Sequence, residues 1–552
     1  MKRELLIELL CHIKRNSLLL NSIEEIFGNE QSKGLEQLLK LNDRQIKTIL
    51  ELREPKSQMF RIYMYIKGNK IPKEIRNLLY AADGPTKKDR FKLHDVIYML
   101  ENEKLLKRKD AYEIFKLTVN SNPSRVDDIS SAFVNSNLVE KKNALEFVKL
   151  MANAEEDYQA EYVYDFTQED AFDRKDALEL AKMIAGAKGE VKARCAFQVA
   201  TDEDLLKRED VLKIVSLVAS AKKDYQAEYA FDVAVNYNLL NSEGNDILEI
   251  IKEVVTAKEK YQAEYASRAA TCIKVIEYEK ALDVVKIMSN SKGETQAYHT
   301  QKVIVSDNFL KREDALEIIR NIVNAKGEQQ AKYAAIAALD NLVKLNPNAT
   351  EIVNIVANCE KDYQALYACN IARHPSISND KRIIEILNII VNAKGDKQAN
   401  ICTNLIFTPL IRHHKDALNM IEIIANTPNE HIAAYTRDVA CNEKIIKRED
   451  ALGYIVAVAS SQEERRALKA LEFINGISPD LLRVTDVERI TNSSHLNQLM
   501  FNRRYADAIK NVYEEKEIYT VMSNKSIDTI IAVLSNTKEQ EITQTTKVKV
   551  KK

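Results

Sequence analysis

The chain has 552 residues, 45% of them hydrophobic and 30% charged, with only twelve Gly and nine Pro. That leaves ample apolar surface to bury and suits a helical chain without long flexible linkers. Lys plus Arg (81) nearly cancels Asp plus Glu (82), and a net charge of −1 argues against a general nucleic-acid binder, which needs a basic face to displace counterions.

Residues 1–104 read as a divergent N-terminal helical cap. KRELLIELLCHIKR, LEQLLKL and DRQIKTILEL are short amphipathic stretches broken at Gly28, Gly34 and Pro55. Glu4 and Glu8 interrupt the first apolar run, so it reads as an amphipathic helix and not a signal peptide. Residues 1–100 carry 19 basic and 13 acidic side chains, the last ten residues carry +4, and the remainder is therefore about −11. Tyr63 and Tyr65 among these basic residues could stack on single-stranded nucleic acid, but the reading preferred here is aromatics in the core and lysines in solvent.

Residues 105–480 are built from one unit of about 34 residues, best seen in KREDALEIIRNIVNAKGEQQAKYAAIAALDNLVKL, 311–345. Asp314 and Glu317 are spaced as a capping box, which predicts a helix start. Leu316, Ile318, Ile319, Ile322 and Val323 give that helix an apolar face, and Gly327 is expected to end it in a left-handed conformation. A second helix is predicted from about Gln329 to about Leu342, with Ala331, Ala334, Ala335 and Ala338 on one side. The alanine opening it recurs at 160, 193, 227, 263, 297, 331, 365, 399, 433 and 467. Boxes return at Asp110/Glu113, Asn143/Glu146, Asp176/Glu179, Asp246/Glu249 and Asn348/Glu351, and turn glycines at Gly189, Gly293 and Gly395. Helices of this length do not persist alone in water, so each pair must pack on the next.

The linker Lys-Arg-Glu-Asp at 207–210, 311–314 and 447–450 is placed at helix starts, where acidic residues suit the dipole. His413 and His414 in the related stretch have no third ligand at metal spacing. Beyond Pro479 the register weakens: residues 481–535 are expected to hold capping helices (YADAIKNVYEE, IDTIIAVL, and a box at Thr485/Glu488), and 536–552 a disordered basic tail. The seven cysteines form no CxxC and mostly replace small apolar residues, as reduced core thiols of a cytoplasmic protein would. No apolar run is long enough to span a membrane.

The second-helix pattern Ala-x3-aromatic-or-small-x2-Ala, met by Ala193, Phe197, Ala200, by Ala227, Phe231, Ala234 and by Ala331, Ala335, Ala338, resembles the tetratricopeptide family over roughly residues 110–480. The family's first-helix Trp-x2-Leu-Gly-x2-Tyr and its terminal proline are absent, and HEAT-like pairs describe the chain nearly as well. The expected fold is therefore all-α: a right-handed α-solenoid of about 11–12 helix-turn-helix repeats with divergent helical caps. The resemblance implies a protein-binding scaffold.

One constellation suggests where binding takes place. Near the end of each first helix the residue is small or polar, and Asn290, Asn324, Asn358, Asn392 and Asn426 occupy it in five consecutive repeats. An amide offers donor and acceptor together, so such a ladder on a concave face can hold an extended peptide by its backbone. The alternative is a structural role at the helix end, and exposure is the property that separates the two. A second stripe pairs Gln159, Gln226, Gln262, Gln296, Gln330, Gln364 and Gln398 with tyrosines such as Tyr162, Tyr229, Tyr265, Tyr333 and Tyr367. It reads as packing between repeats with a hydrogen-bond tether. No nucleotide, zinc-protease or nucleophile-elbow motif is present, so no enzyme activity and no cofactor are expected. The function expected is a non-enzymatic scaffold for a protein or peptide partner, with an RNA-binding helical repeat or a self-assembling spacer as alternatives.

Overall fold

A computed structural model describes residues 2–27, 36–52, 55–83, 87–242, 246–477 and 482–492. The helices expected at 505–515 and 527–534, the tail 536–552 and the breaks at Gly28 and Gly34 lie outside these residues. Every described element is helical, and no strand occurs among the described residues. The chain divides into two compact units, Met1–Asn290 and Ser291–Lys552. The boundary falls in the turn between the helices Ala281–Ser289 and Glu294–Ile304 of a single repeat.

The first unit begins with helices Lys2–Arg15, Ser17–Phe27, Asp43–Glu51, Pro55–Lys67, Lys73–Ala82 and Lys87–Leu100. Pro55 opens a helix, at the position where a missing N–H costs nothing. Tyr63 is 2% exposed, its ring centroid 6.2 Å from that of Phe27, so the aromatic belongs to the core. Gln58, fully buried, donates through Nε2 to the carbonyls of Leu52 (2.6 Å) and Ile49 (3.3 Å), while its Oε1 lies 3.0 Å from His12 Nε2.

Within each unit the repeats form two layers, solenoid-like. First helices touch the next first helices, as Ala144–Ala152 touches Ala177–Gly186 and Ala315–Val323 touches Ala349–Ala357. Second helices do the same, as Asp157–Phe166 with Glu190–Thr201 and Glu328–Leu339 with Asp362–Ala372. Alanines at the second-helix positions, Ala160, Ala193, Ala227, Ala331 and Ala365, are all 0% exposed, which lets neighbouring backbones approach.

Three local expectations are corrected. The repeat has a third element: the second helix ends at Leu339, and a one-turn helix Asn341–Lys344 follows, as do Glu103–Leu106, Tyr237–Leu240, Ile273–Ile276, Pro409–Arg412 and Glu443–Ile446 elsewhere. A buried aliphatic pins each (Leu105, Leu239, Val275, Val343, Ile411, Ile445), and Asn102, Asn236, Asp340 and Asn442 cap four of them through their side chains. The boxes predicted for the first helices do not form at Asp110, Asn143, Asp176, Asp314 or Asn348. These residues have ψ between 5° and 21°, not the extended backbone that aims a side chain at the N2 and N3 amides. Asp246 does accept from the Glu249 amide, at 3.1 Å, whereas Thr485 lies inside the helix Val484–Asn492. Nor does Gly327 end a helix in the left-handed region: its φ of −150° is extended, and it opens the second helix, as Gly293 and Gly395 also do. Gly189, at φ 121°, holds the same place.

The freed aspartates make a different contact. Arg312 grips Asp314 with two parallel bonds of 2.7 Å and sends Nη1 to the Lys344 carbonyl of the following linker at 3.3 Å. Arg108 does the same with Asp110 and the carbonyls of Val139 and Lys141 (2.8 and 2.9 Å), and Arg382, with its partner Asp380 preceding it, reaches the Arg412 carbonyl at 3.1 Å. The guanidinium holds the carboxyls of Asp110, Asp176, Asp210, Asp314, Asp380 and Asp450 below the usual carboxylate range. Arg-x-Asp is thus a clasp between successive linkers, a more specific role than complementing a helix dipole.

The glutamines tie the other edge. Gln226 Oε1 accepts the Lys223 amide that opens its own helix (2.9 Å), and Nε2 donates to the Ala257 carbonyl in the turn of the next repeat (2.7 Å). Gln159, Gln296, Gln330 and Gln398 reach Ala187, Ala325, Cys359 and Thr427 likewise, at 2.9–3.4 Å. Tyr158 and Tyr225, one residue earlier, bond the turns at Gly189 and Lys258, both at 2.9 Å. Tyr162 stacks on Phe197 of the next second helix, centroids 5.7 Å apart. The expected tether between repeats is therefore present.

Gln226 is 4% exposed, so Gln226→Ala strands a buried carbonyl and an amide at once. We expect it to lower unfolding stability by about 2 kcal/mol, against less than about 0.5 kcal/mol for Lys222→Ala on the exposed side of the neighbouring turn. Urea unfolding of both variants checks this; equal losses would mean the glutamine is not a tether.

Candidate binding face along the repeat turns

Four of the five ladder asparagines, Asn324, Asn358, Asn392 and Asn426, belong to the second unit, and Asn290 closes the first. Each is the residue that ends a first helix, and all five are exposed. Each turns Nδ2 back onto the carbonyl four residues earlier: Lys286, Arg320, Asn354, Asn388 and Glu422, at 2.8–3.0 Å. The side chain thereby satisfies one of the orphan carbonyls of a helix C-terminus. In Asn324, Asn358, Asn392 and Asn426 the backbone N–H bonds the same carbonyl, at 3.0–3.2 Å. Oδ1 receives no donor from any described residue in any of the five. Nδ2 makes a second bond in Asn290, to Ser289 Oγ at 3.2 Å, and in Asn358, to Asn354 Oδ1 at 2.7 Å, so one amide hydrogen is left over in Asn324, Asn392 and Asn426. The repeats thus keep both properties that sequence set against one another, a cap and an open amide edge.

The same position in other repeats shows what the cap alone requires. Ser220 and Thr256 donate their hydroxyls to the carbonyls of Ser216 (2.6 Å) and Lys252 (2.7 Å). Gly186 has no side chain to offer, and Asn153 makes no side-chain bond among the described residues.

Beside this position runs a feature that residue counting missed. The turns after six first helices carry an exposed lysine, Lys188, Lys222 and Lys258 in the first unit and Lys292, Lys326 and Lys394 in the second, whereas Glu155 and Glu360 take its place in two others. Summing charge over whole repeats hides it, because many acidic residues sit elsewhere, although Glu360 occupies the corresponding turn position and pairs with Lys326 at 2.6 Å. The second helices of the first unit bear many of them, including Asp128, Glu161, Asp165, Glu228 and Asp232. Burial raises the Asp165 and Asp232 carboxyls, helped by Glu161 and Glu228 respectively. Burial and the nearby Asp127, Glu161, Asp165 and Asp157 push Asp128 up to about 7. The signal was the triplet Ala/Ser-Lys-Gly or Ala-Lys-x at 34-residue spacing.

Burial pushes the thiols of Cys195 and Cys369 up to about 11, the direction that suppresses thiolate. Cys11 and Cys441 are exposed, so the expectation of core thiols holds for Cys195, Cys359, Cys369 and Cys402 and not for these two. His414 Nδ1 accepts the Asp416 amide at 3.1 Å, so that imidazole orders a turn. No group of three metal-ligating side chains occurs among the described residues, and no described helix is long and apolar enough to cross a membrane. No protein-family model and no curated protein matches the chain.

An ordinary aspartate titrates near 4, so the folded chain holds the Asp128 proton more tightly than the unfolded chain does. The stability this contributes is present at low pH and is lost as pH rises from about 4 through about 7. Asp128→Asn fixes the neutral state. It is expected to raise Tm at about pH 8 and to leave it nearly unchanged at about pH 3.5. Thermal melts at both values test this, and a pH-independent shift would remove the titrating role.

Proposed function

We propose that the chain is a non-enzymatic helical-repeat scaffold, tetratricopeptide-like or HEAT-like in its helix pairs, that holds an extended protein segment along its turn face. The observation that carries this reading is the row of exposed amides at Asn324, Asn358, Asn392 and Asn426 in the second unit, a position that Asn290 holds in the first. Capping needs only one hydroxyl, as Ser220 and Thr256 demonstrate, yet these repeats carry an amide with an acceptor to spare in all five and a donor to spare in Asn324, Asn392 and Asn426. Those groups match what a peptide backbone presents when it is not in a sheet. The lysine row favours a partner segment containing acidic residues. Free cysteines throughout support a reducing compartment, the cytoplasm.

An RNA-binding repeat draws on the same lysines. Against it, single-stranded RNA is gripped by stacking, and Tyr158, Tyr162 and Tyr225 are already engaged between repeats.

Asn324→Ala, Asn358→Ala and Asn392→Ala combined should weaken binding of a partner segment by about tenfold or more, and cost only about 0.5 kcal/mol of stability per site. The partner would be captured from native cells, identified by mass spectrometry and titrated in purified form. Unchanged affinity, or a collapse of the melting temperature, would assign the asparagines to capping alone. Binding of random RNA that falls steeply with salt would favour the alternative.

A further inference from the structure

In the first unit one ladder position carries no side chain. Gly186 ends the helix Ala177–Gly186 at a ladder position, and a Cβ built on it would meet nothing within 4 Å. A cavity of about 410 Å³ opens there, between the ends of helices Ala144–Ala152 and Ala177–Gly186, a size that suits a small ligand or a side chain with its backbone. Lys149, Lys182 and Lys188 line it, from two helices and a turn, together with Asn153. Glu146 also lines it but is committed to Lys149 at 2.7 Å. Lys182 and Lys188 have no carboxylate partner among the described residues, and the Asn153 amide, unlike those of the five later asparagines, is not folded back onto its helix. Gln159 forms part of the wall with both ends of its amide in use, on Ala187 and Glu156, so the wall is rigid and asks nothing of a ligand.

We infer that this cavity is a subsite for an acidic side chain of the bound peptide, a Glu or Asp whose carboxylate meets Lys182 and Lys188 while Asn153 bonds the adjacent backbone. The inference rests on the peptide-scaffold reading and sharpens it within the first unit: a capping amide holds backbone without regard to sequence, whereas the gap left by Gly186 reads one residue. Two uncommitted ammonium groups facing one space supply the charge complementarity, and the lone remaining carboxylate, Glu155, sits on the turn beside them.

The test uses the full chain and a fluorescently labelled ten-residue poly-Glu peptide, followed by anisotropy. Saturable, salt-weakened binding is expected. Gly186→Gln, which fills the cavity, should weaken it about tenfold or more, and so should Lys182→Ala with Lys188→Ala. Lys207→Ala, where the lysine pairs with Asp204 at 2.7 Å in a linker, should stay within about twofold. Thermal melts verify folding; should Gly186→Gln unfold, the surface change Lys182→Glu decides instead. Absent saturable binding, or equal affinity in the filled variant, overturns the subsite. So does displacement of the peptide by inorganic phosphate at equal charge concentration, which would mark a plain anion site. The triple asparagine variant separates the two readings. If it keeps partner affinity while Gly186→Gln loses poly-Glu, the ladder fails and the subsite stands; the reverse pattern retires the subsite alone.

Discussion

A buried glutamine that must satisfy two chain segments at once sets the geometry of the turn edge. Gln159 and Gln226 lie 2% and 4% exposed, where an unpaired amide would cost on the order of 1–3 kcal/mol. Oε1 can accept only if its own helix begins three residues earlier, and Nε2 can donate only if the next repeat brings its turn carbonyl alongside. One side chain therefore fixes both where a second helix starts and how far away the next repeat sits. The bond is non-local by only about thirty residues, which is the range over which a repeat array folds by neighbour contacts.

With this edge stitched, the opposite one is clasped. Arg-x-Asp pairs are bidentate and half-buried, so each arginine keeps a fixed orientation and has N–H groups left for the following linker's carbonyls. In the second unit the turns add backbone bonds of their own: the amides of Lys326 and Lys394 donate to the carbonyls of Ala357 and Ala425, both at 3.0 Å. Side chains less involved in holding the stack are those at the turns, namely the asparagine that ends several of the first helices and the lysine that follows two residues later in six repeats, although Lys326 pairs with Glu360 of the next turn at 2.6 Å. The proposed binding face is in this sense what remains when structural demands have been met.

The repeat was legible because three markers shared one register, and burial follows that register closely: the recurring alanines and the first-helix aliphatics are the core. The glutamine tether was legible for the same reason, a polar residue placed among apolar neighbours in every copy. What sequence could not convey was backbone conformation at single residues. Asp314 and Glu317 have the spacing of a capping box, but the approach through the linker leaves Asp314 at ψ 5°, and its carboxylate turns back to Arg312. Gly327 was read by residue type, and type alone does not separate a helix-ending glycine from one in extended backbone that opens the next helix. The linker helices escaped because one turn is too short to show a period, although the Asn or Asp three residues before a buried aliphatic at Asn102, Asn236 and Asn442 marks them.

The asparagine position gains its meaning from comparison across repeats within this one chain. A helix end of this shape can be closed by hydroxyl or amide, and the chain uses both. A hydroxyl that closes the helix has spent its only hydrogen; the amides of Asn324, Asn392 and Asn426 have not. Neighbouring helices in such layers stand about 8–10 Å apart, and an extended chain advances about 3.3 Å per residue, so successive amides would meet every third residue or so of a partner. Contacts at that interval fix direction and register weakly and carry no side-chain information, because the groups they engage are common to all residues. Sequence preference must then come from places where the series is broken, and a break that exposes uncommitted charge, as at Gly186, is the kind that can supply it.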